Sequence, residues 1–318
     1  MKISEILHDR KDPFVSFEII PPARGRSARQ IYDVIDELME FKPPFIDMTS
    51  HAADSYYVEQ GNGTFTRHIK RKRPGTIGLC AAIKYRYKVE AVPHLLCQGF
   101  TKQETEDALI ELNYLGIDNV LAIRGDQLQY KKVDEIGRES NIHALDLVKQ
   151  ISNMNQGKYL EDILDADESN FCVGVGGYPE KHPDSPSKNA DIRYLKQKVD
   201  AGAQYIVTQM FFQNQDFYDF VDLCRAEGIT VPIIPGFKLV TRKGQLTSLP
   251  RAFSVNIPDD LVKAMESADT VQKRAEIGVK HTIEQCKDLL SNGVKCLHFY
   301  VMQDTRLVKE VVRSLKLS

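Results

Sequence analysis

Several common signatures are missing from this 318-residue chain, and each absence removes a class of function. Its six cysteines (Cys80, Cys97, Cys172, Cys224, Cys286 and Cys296) are widely spaced and never form C-x-x-C. That spacing favours reduced, mostly buried thiols over a disulfide framework or a zinc site, and no metal is expected. No apolar run reaches the roughly 18 residues of a membrane span. The opening stretch MKISEILHDRKDPF is too charged for a secretory leader. Neither sign of charge dominates. A formal net charge of −2 gives no general attraction to nucleic acid or to an anionic membrane. No G-x-G-x-x-G follows a candidate strand, which weighs against a nucleotide-binding doubly wound sheet. GVGG at 174–177 has the wrong spacing and runs into Tyr178-Pro179, not into a helix. No G-x-S-x-G marks a serine nucleophile. There is no linker rich in Gly, Ser or Pro and no obvious repeat. The expectation is a cytoplasmic, soluble protein with one domain spanning 1–318.

What the chain does have is alternation. Eight short runs read as strands: 14–20, 45–50, 89–97, 119–125, 171–179, 204–212, 231–237 and 296–302. Many are rich in Val, Ile, Phe or Tyr, as strands buried on both faces should be. Segments between them carry helical periodicity, most clearly 28–41, 102–116, 189–203 and 271–290. Thr101 with Glu104 predicts an N-terminal cap, and Gly116 a stop. Eight strand-then-helix units predict an α/β fold, a (β/α)₈ TIM barrel. Residues 72–88 are long for a connection. Residues 152–170 are polar and acidic, and predict a surface excursion.

Barrel enzymes keep their chemistry at the carboxyl ends of the strands. The first strand, SFEIIPP, holds an acid inside an apolar run. Strand side chains alternate faces, so Val15, Phe17 and Ile19 share one face while Phe14, Ser16, Glu18 and Ile20 share the other. Glu18 is therefore expected to point toward the barrel axis, near its upper end. Burial should raise its pKa, which suits a general acid at neutral pH. The alternative is a structural pair with a barrel Lys or Arg. Other strand ends offer Thr49, His94, Arg124, Asp126, Tyr178, His182 and Gln209. Gly125 permits close backbone approach, and Arg124 with Asp126 brings two opposite charges to one turn.

SFEIIPP, DMTSHAA, AVPHLLC, LAIRGD, GGYPEKHP, KVDAGAQYIVTQMFF and IIPGF occur in this order along the chain. The set resembles the 5,10-methylenetetrahydrofolate reductases of the single-domain bacterial kind, from about residue 12 to residue 302. The resemblance implies a barrel flavoprotein holding FAD non-covalently. A reduced nicotinamide nucleotide reduces FAD and leaves. 5,10-Methylenetetrahydrofolate then takes its place and is reduced to 5-methyltetrahydrofolate, a methyl source for methionine synthesis. It implies that Glu18 is the catalytic acid that helps open the folate's imidazolidine ring, and that Asp126 is a carboxylate near flavin and folate. Gln209 and Gln245 match folate contacts. For FAD, the matching positions are Thr49, Ser50, Ala52, His94, Arg124, Gly125, Asp126, Ala144, Tyr178, His182, Asp191 and Lys198.

The chain departs from the family pattern in places. Tyr194 and Gln197 stand where an Asn and an Arg often flank the lysine matched by Lys198. Leu249 replaces a frequent Phe. Asp304 holds the position of an Arg near the folate tail, and Arg306 follows two residues on. No Arg cluster for a 2′-phosphate is identifiable, and NADH is favoured over NADPH as co-substrate. The runner-up function is a flavin-dependent folate reductase subunit fed by a separate iron–sulfur partner. A third is a non-catalytic flavin- or folate-binding barrel. The family commonly self-associates, so a homo-oligomer is expected.

Overall fold

Parallel strands close on themselves in the computed structural model, which describes residues 1–125, 139–302 and 304–317. The chain opens with α1 (Ile3–Asp9), β1 (Phe14–Ile19), α2 (Arg29–Leu38) and β2 (Phe45–Met48). A hairpin of β3 (Asp54–Glu59) and β4 (Phe65–Lys70) follows, then α3 (Thr76–Ala82) and β5 (Glu90–Leu96). Next come α4 (Lys102–Tyr114), β6 (Asn119–Ile123), α5 (Ala144–Met154), β7 (Cys172–Gly177) and α6 (Lys188–Asp200). The remainder runs β8 (Ala203–Met210), α7 (Asn214–Ala226), β9 (Ile233–Phe237), α8 (Gln245–Phe253), α9 (Asp259–Ser267), α10 (Val271–Ser291), β10 (Cys296–Met302) and α11 (Arg306–Leu315). The barrel order is β1-β10-β9-β8-β7-β6-β5-β2, and β2 returns to β1. This is the (β/α)₈ barrel the alternation predicts, and each of its strands overlaps a predicted run, β8 starting one residue before its run.

Side-chain parity divides the core in two. Val15, Phe17 and Ile19 of β1 face outward and pack with Ile31, Ile35 and Leu38 of α2. Phe14 turns inward with Phe45, Val92, Tyr205 and Ile234, and α1 closes that end with Ile3 and Ile6. The interior is filled rather than hollow. Tyr205 is fully buried, and a Cβ on Gly174 would lie 2.2 Å from its Cζ. Only a glycine on β7 admits that ring.

Local signals act as expected in α4. Glu104 N donates to Thr101 Oγ1 at 3.1 Å, and Thr101 N donates to Glu104 Oε2 at 2.7 Å. Gly116, with φ +61, ends the segment in the left-handed region that glycine tolerates best.

Residues 72–88 are not a bare connection. They carry α3 and a π-helical turn, Ile83–Tyr87, and so supply the outer helix between β2 and β5. The extra element is instead the hairpin at 54–70, whose Asn62-Gly63 turn has the sequence of a tight hairpin loop. Within 152–170, α5 continues through Met154. The rest is irregular and largely exposed, anchored where Asn155 Oδ1 accepts from Ser169 Oγ and Phe171 N, both at 2.8 Å.

Candidate active site

Glu18 points into the barrel. On β1 it lies opposite Tyr300 of β10 and Asp47 of β2. The β1–β10 register slips immediately afterwards, where Ile19 pairs with Met302, and Met302 takes φ +63. Irregularities of this kind re-aim side chains at barrel rims.

A buried acid needs company, and three strands supply it. His94 Nε2 lies 3.6 Å from Glu18 Oε2 and 3.5 Å from Asp47 Oδ2. Both contacts are ion-pair distances, longer than an ordinary N–H···O hydrogen bond of about 2.7–3.2 Å. Lys238, just after β9, donates from Nζ to Tyr300 O at 2.9 Å, and its charge is felt at Glu18. Below, Ser16 Oγ and His298 Nδ1 share a hydrogen bond of 2.8 Å.

Burial pushes the Glu18 carboxyl up to about 7, with Asp47 adding to the rise and His94 and Lys238 opposing it. The direction is the one expected from an acid embedded in a strand. Burial works against charge on His94, but Asp47 and Glu18 outweigh it and hold the imidazole above its usual range. Burial sends His298 the other way, down to about 4. The mouth thus holds one carboxyl poised to give a proton near neutral pH beside an imidazole that favours its cationic form.

A second cluster sits at the rim over β6, β7 and α6. Arg124 Nη2 meets Asp184 Oδ2 at 2.5 Å. The His182 ring lies edge-on to Tyr178 with centroids 4.5 Å apart. Asp184 N donates to His182 Nδ1 at 3.1 Å, so that nitrogen accepts. Burial lowers the His182 pKa, in keeping with a neutral ring. His182 N and Ser185 Oγ donate to the two Asp191 oxygens at 2.9 and 2.8 Å. Lys198 Nζ reaches back to Gly176 O at 3.1 Å, and burial pulls its pKa down to about 8 against the pull of Asp191. Arg124, Lys198, Asp184 and Asp191 all act on His182, so the structure gathers these residues at one place. A Cβ on Gly176 would meet nothing nearer than Ile123 Cγ2 at 4.0 Å, which leaves open space beside them. Cations beside an open glycine strand end suit a phosphate-bearing ligand.

Other sequence-selected residues are placed less tightly. Thr49 lies beyond β2 with its hydroxyl buried and without a hydrogen-bond partner among the described residues. Ser50 and Ala52 are half-buried in the same turn. Gly125 has φ +83, as a close backbone approach requires. Ala144 opens α5, where His143 N donates to Asp146 Oδ2 at 2.9 Å. Gln209 Oε1 accepts from its neighbour Met210 N at 2.9 Å. The Gln245 amide bonds within its own loop: Oε1 accepts from Thr241 N and Arg242 N at 2.8 and 2.9 Å, and Nε2 donates to Leu239 O at 3.2 Å. Asp304 Oδ1 accepts from Arg306 N at 3.1 Å. Asp126 lies outside the described residues.

Strand-end reasoning missed Asp47, His298 and Lys238. The first two carry the same mark as Glu18, a polar residue inside an apolar run (FIDM and CLHFYVM), but in mid-strand. Lys238 follows IIPGF directly and adds a second positive charge near the acid, beside His94.

Comparison with known proteins fits this arrangement. The family model for methylenetetrahydrofolate reductase matches residues 2–316. Methylenetetrahydrofolate reductase 1 of Schizosaccharomyces pombe is 32% identical over 326 residues, covering 100% of this chain and 49% of that protein. A probable methylenetetrahydrofolate reductase (NADPH) of Caenorhabditis elegans is 31% identical over 319 residues, covering 98% and 44%. The chain thus spans about half the length of these eukaryotic relatives. The 5,10-methylenetetrahydrofolate reductase of Buchnera aphidicola is 30% identical over 305 residues, covering 95% and 91%. A Clostridium thermocellum protein described as binding two copies of 5-methyl-5,6,7,8-tetrahydrofolic acid shares the fold, with TM-score 0.59 and 13% identity over 98% and 97% of the two chains. A match running from residue 2 to residue 316, with relatives at 30–32% identity across the whole barrel, places this chain in the methylenetetrahydrofolate reductase family.

Proposed function

We propose that this chain, as a single barrel domain, reduces 5,10-methylenetetrahydrofolate to 5-methyltetrahydrofolate with FAD and a reduced nicotinamide nucleotide, NADH in preference to NADPH. The product would supply methyl groups for methionine synthesis. The observation that carries this reading is Glu18, a carboxyl held near pKa 7 inside the barrel mouth.

The residues present fit FAD. Arg124, Lys198 and neutral His182 would hold the pyrophosphate, and Asp191 its hydroxyl groups. The orphaned Thr49 hydroxyl and the open space at Gly176 fit a ring system laid over the strand ends. When bound, FAD supplies hydride transfer between nicotinamide and folate.

The protein's own contribution is proton handling and charge. Glu18 would give its proton to the folate's imidazolidine ring as the ring opens to the N5-iminium ion. Asp126 would balance that cation with its negative charge, which acts strongly where water is excluded. Gln209 would pair with the pterin. Gln245 would do so only after its amide leaves the loop bonds it makes here. Lys238, beside Glu18, would supply positive charge to the mouth, whereas the family's tail arginine position holds Asp304.

The test is an anaerobic titration. The purified protein is expected to show flavin absorbance, to bleach with NADH alone and to recover colour with methylenetetrahydrofolate. Bleaching by NADH also excludes dependence on an iron–sulfur partner. Glu18→Gln should still bleach but recover about 10²–10⁴-fold more slowly. Recovery at a near-normal rate would remove Glu18 from the mechanism.

A further inference from the structure

We propose that Asp47 is a positioning residue for proton delivery: it holds His94 in place as the group that steadies and reloads Glu18. This rests on Glu18 acting as the acid in the proposed reduction.

Asp47 is an unusual carboxylate. It sits in mid-strand, where it caps no helix and closes no turn. Its side chain is 1% exposed, and neither oxygen has a hydrogen-bond partner among the described residues. A carboxylate so buried is costly unless a cation answers it. His94 answers it, at 3.5 Å from Oδ2. The same nitrogen, Nε2, is 3.6 Å from Glu18 Oε2. Asp47 and Glu18 are register partners on adjacent strands, so one imidazole nitrogen serves two acids at the same level.

Among the other groups facing this pair, His298 keeps Nε2 without a partner among the described residues, but burial takes its pKa down to about 4, so it brings no cation to Asp47 at neutral pH. From β10, His298 Nδ1 is bonded to Ser16, and Tyr300 donates its hydroxyl to Thr208 O at 2.5 Å. From beyond β9, Lys238 donates to Tyr300 O while adding positive charge near Glu18. From β5, His94 alone presents a nitrogen to both carboxyls. Asp47 and Glu18 together raise the His94 pKa in spite of its burial, which favours the imidazolium form.

The proton balance is simple. The Glu18 O–H bond breaks as an N–H bond forms on the folate. The His94 Nε2–H bond then breaks as the Glu18 O–H bond re-forms. Solvent returns a proton to His94, and this is the proton that the overall reduction consumes. Asp47 neither gives nor takes a proton. Its charge keeps His94 loaded and aimed.

Asp47→Asn removes that support. His94 then becomes neutral more readily, and Glu18 loses a cationic neighbour that acts on it more strongly than Asp47 does. Glu18 should become a weaker acid. Stopped-flow measurement on the FAD-loaded protein should show folate-driven flavin reoxidation slowed about tenfold, with its loss at high pH displaced upward. Flavin reduction by NADH should change much less. Asp47→Glu, which keeps the charge, should recover part of the rate and move the profile back. Equal slowing of both half-reactions with an unmoved pH profile would overturn the proposal and leave Asp47 a structural residue. Failure of the wild-type protein to turn over would instead be a failure of the proposed function. A second measurement needs no turnover and no variant at Asp47. Nitrogen NMR of histidine-labelled wild-type protein should show one imidazolium, absent in His94→Gln, that persists above neutral pH. A His94 already neutral at mildly acid pH would also overturn the proposal.

Discussion

The two ends of the barrel interior use the same strands and the same inward parity, yet they are built from opposite chemistry. At the amino-terminal end, Phe14, Phe45, Tyr205 and Ile234 fill the space, and Ile3 and Ile6 seal it. One or two inward positions further along the same strands stand Glu18, Asp47 and Gln209, with Lys238 just past the end of β9. Buried polar atoms without partners among the described residues concentrate here: both Asp47 oxygens, Thr49 Oγ1, His94 Nε2 and His298 Nε2. The floor is packed to fit itself, whereas the mouth is arranged to fit something else. Stability should therefore come from one end and reactivity from the other.

The largest expected effect tests the floor. Gly174→Val would drive a side chain into Tyr205, whose Cζ and Cε2 lie 2.2 and 2.4 Å from the Cβ position. Tyr205 is fully buried and cannot swing aside. Urea denaturation should show a loss of about 3 kcal/mol, the upper end of what overpacking costs. Adding Tyr205→Leu should recover part of it, because the two changes compete for one space. A loss under about 1 kcal/mol would mean that the floor is looser than its packing indicates.

Much of this contrast could be read in the sequence. The eight strand runs, their parity and the inward aim of Glu18 follow from period-two patterning and from composition. Parity says which way a residue faces. It does not say which inward residues of different strands meet, since that depends on barrel stagger. Glu18 is visible because Pro21 and Pro22 follow its strand and mark its upper end. Asp47 and His298 carry no such mark: each stands between apolar neighbours, and their meeting with His94 and Ser16 exists only after closure. The hairpin at 54–70 alternates as strands should, but it pairs with itself outside the barrel. The helix at 76–82 was hidden for a different reason. It is short, contains Gly78, follows a basic stretch and ends in a π turn, so its periodicity never completes a clear face.

The next effect is smaller and has the opposite sign. In the folded protein Glu18 titrates at about 7, against 4.5 for an unburied glutamate. A raised carboxyl pKa contributes stability that is fully present below pH 4.5 and is lost as pH rises through about 7. Glu18→Gln carries no such charge at any pH. In flavin-free protein it should match the wild type below about pH 4.5 and exceed it by about 2 kcal/mol at alkaline pH. The same substitution should slow the proposed reduction by about 10²–10⁴-fold, so the mouth would gain stability by losing function. Identical pH–stability curves for the two proteins would show that Glu18 is hydrated enough to ionise freely.

The smallest effect belongs to the rim. Asp184 is 49% exposed and Arg124 29%, so their ion pair is bathed in solvent and screened by salt. Exposed pairs of this kind contribute at most about 1 kcal/mol. Asp184→Asn should leave the melting temperature almost unchanged, because water replaces what the carboxylate gave. Its consequence should appear in binding instead. Arg124 now shares its charge with Asp184, and any ligand phosphate must compete for it. With the carboxylate gone, FAD titration should give affinity that is equal or a few-fold tighter, and the gain should fade as salt is added. A large fall in affinity would mean that Asp184 holds Arg124 in its binding pose, which would make the rim preorganised by its own ion pair.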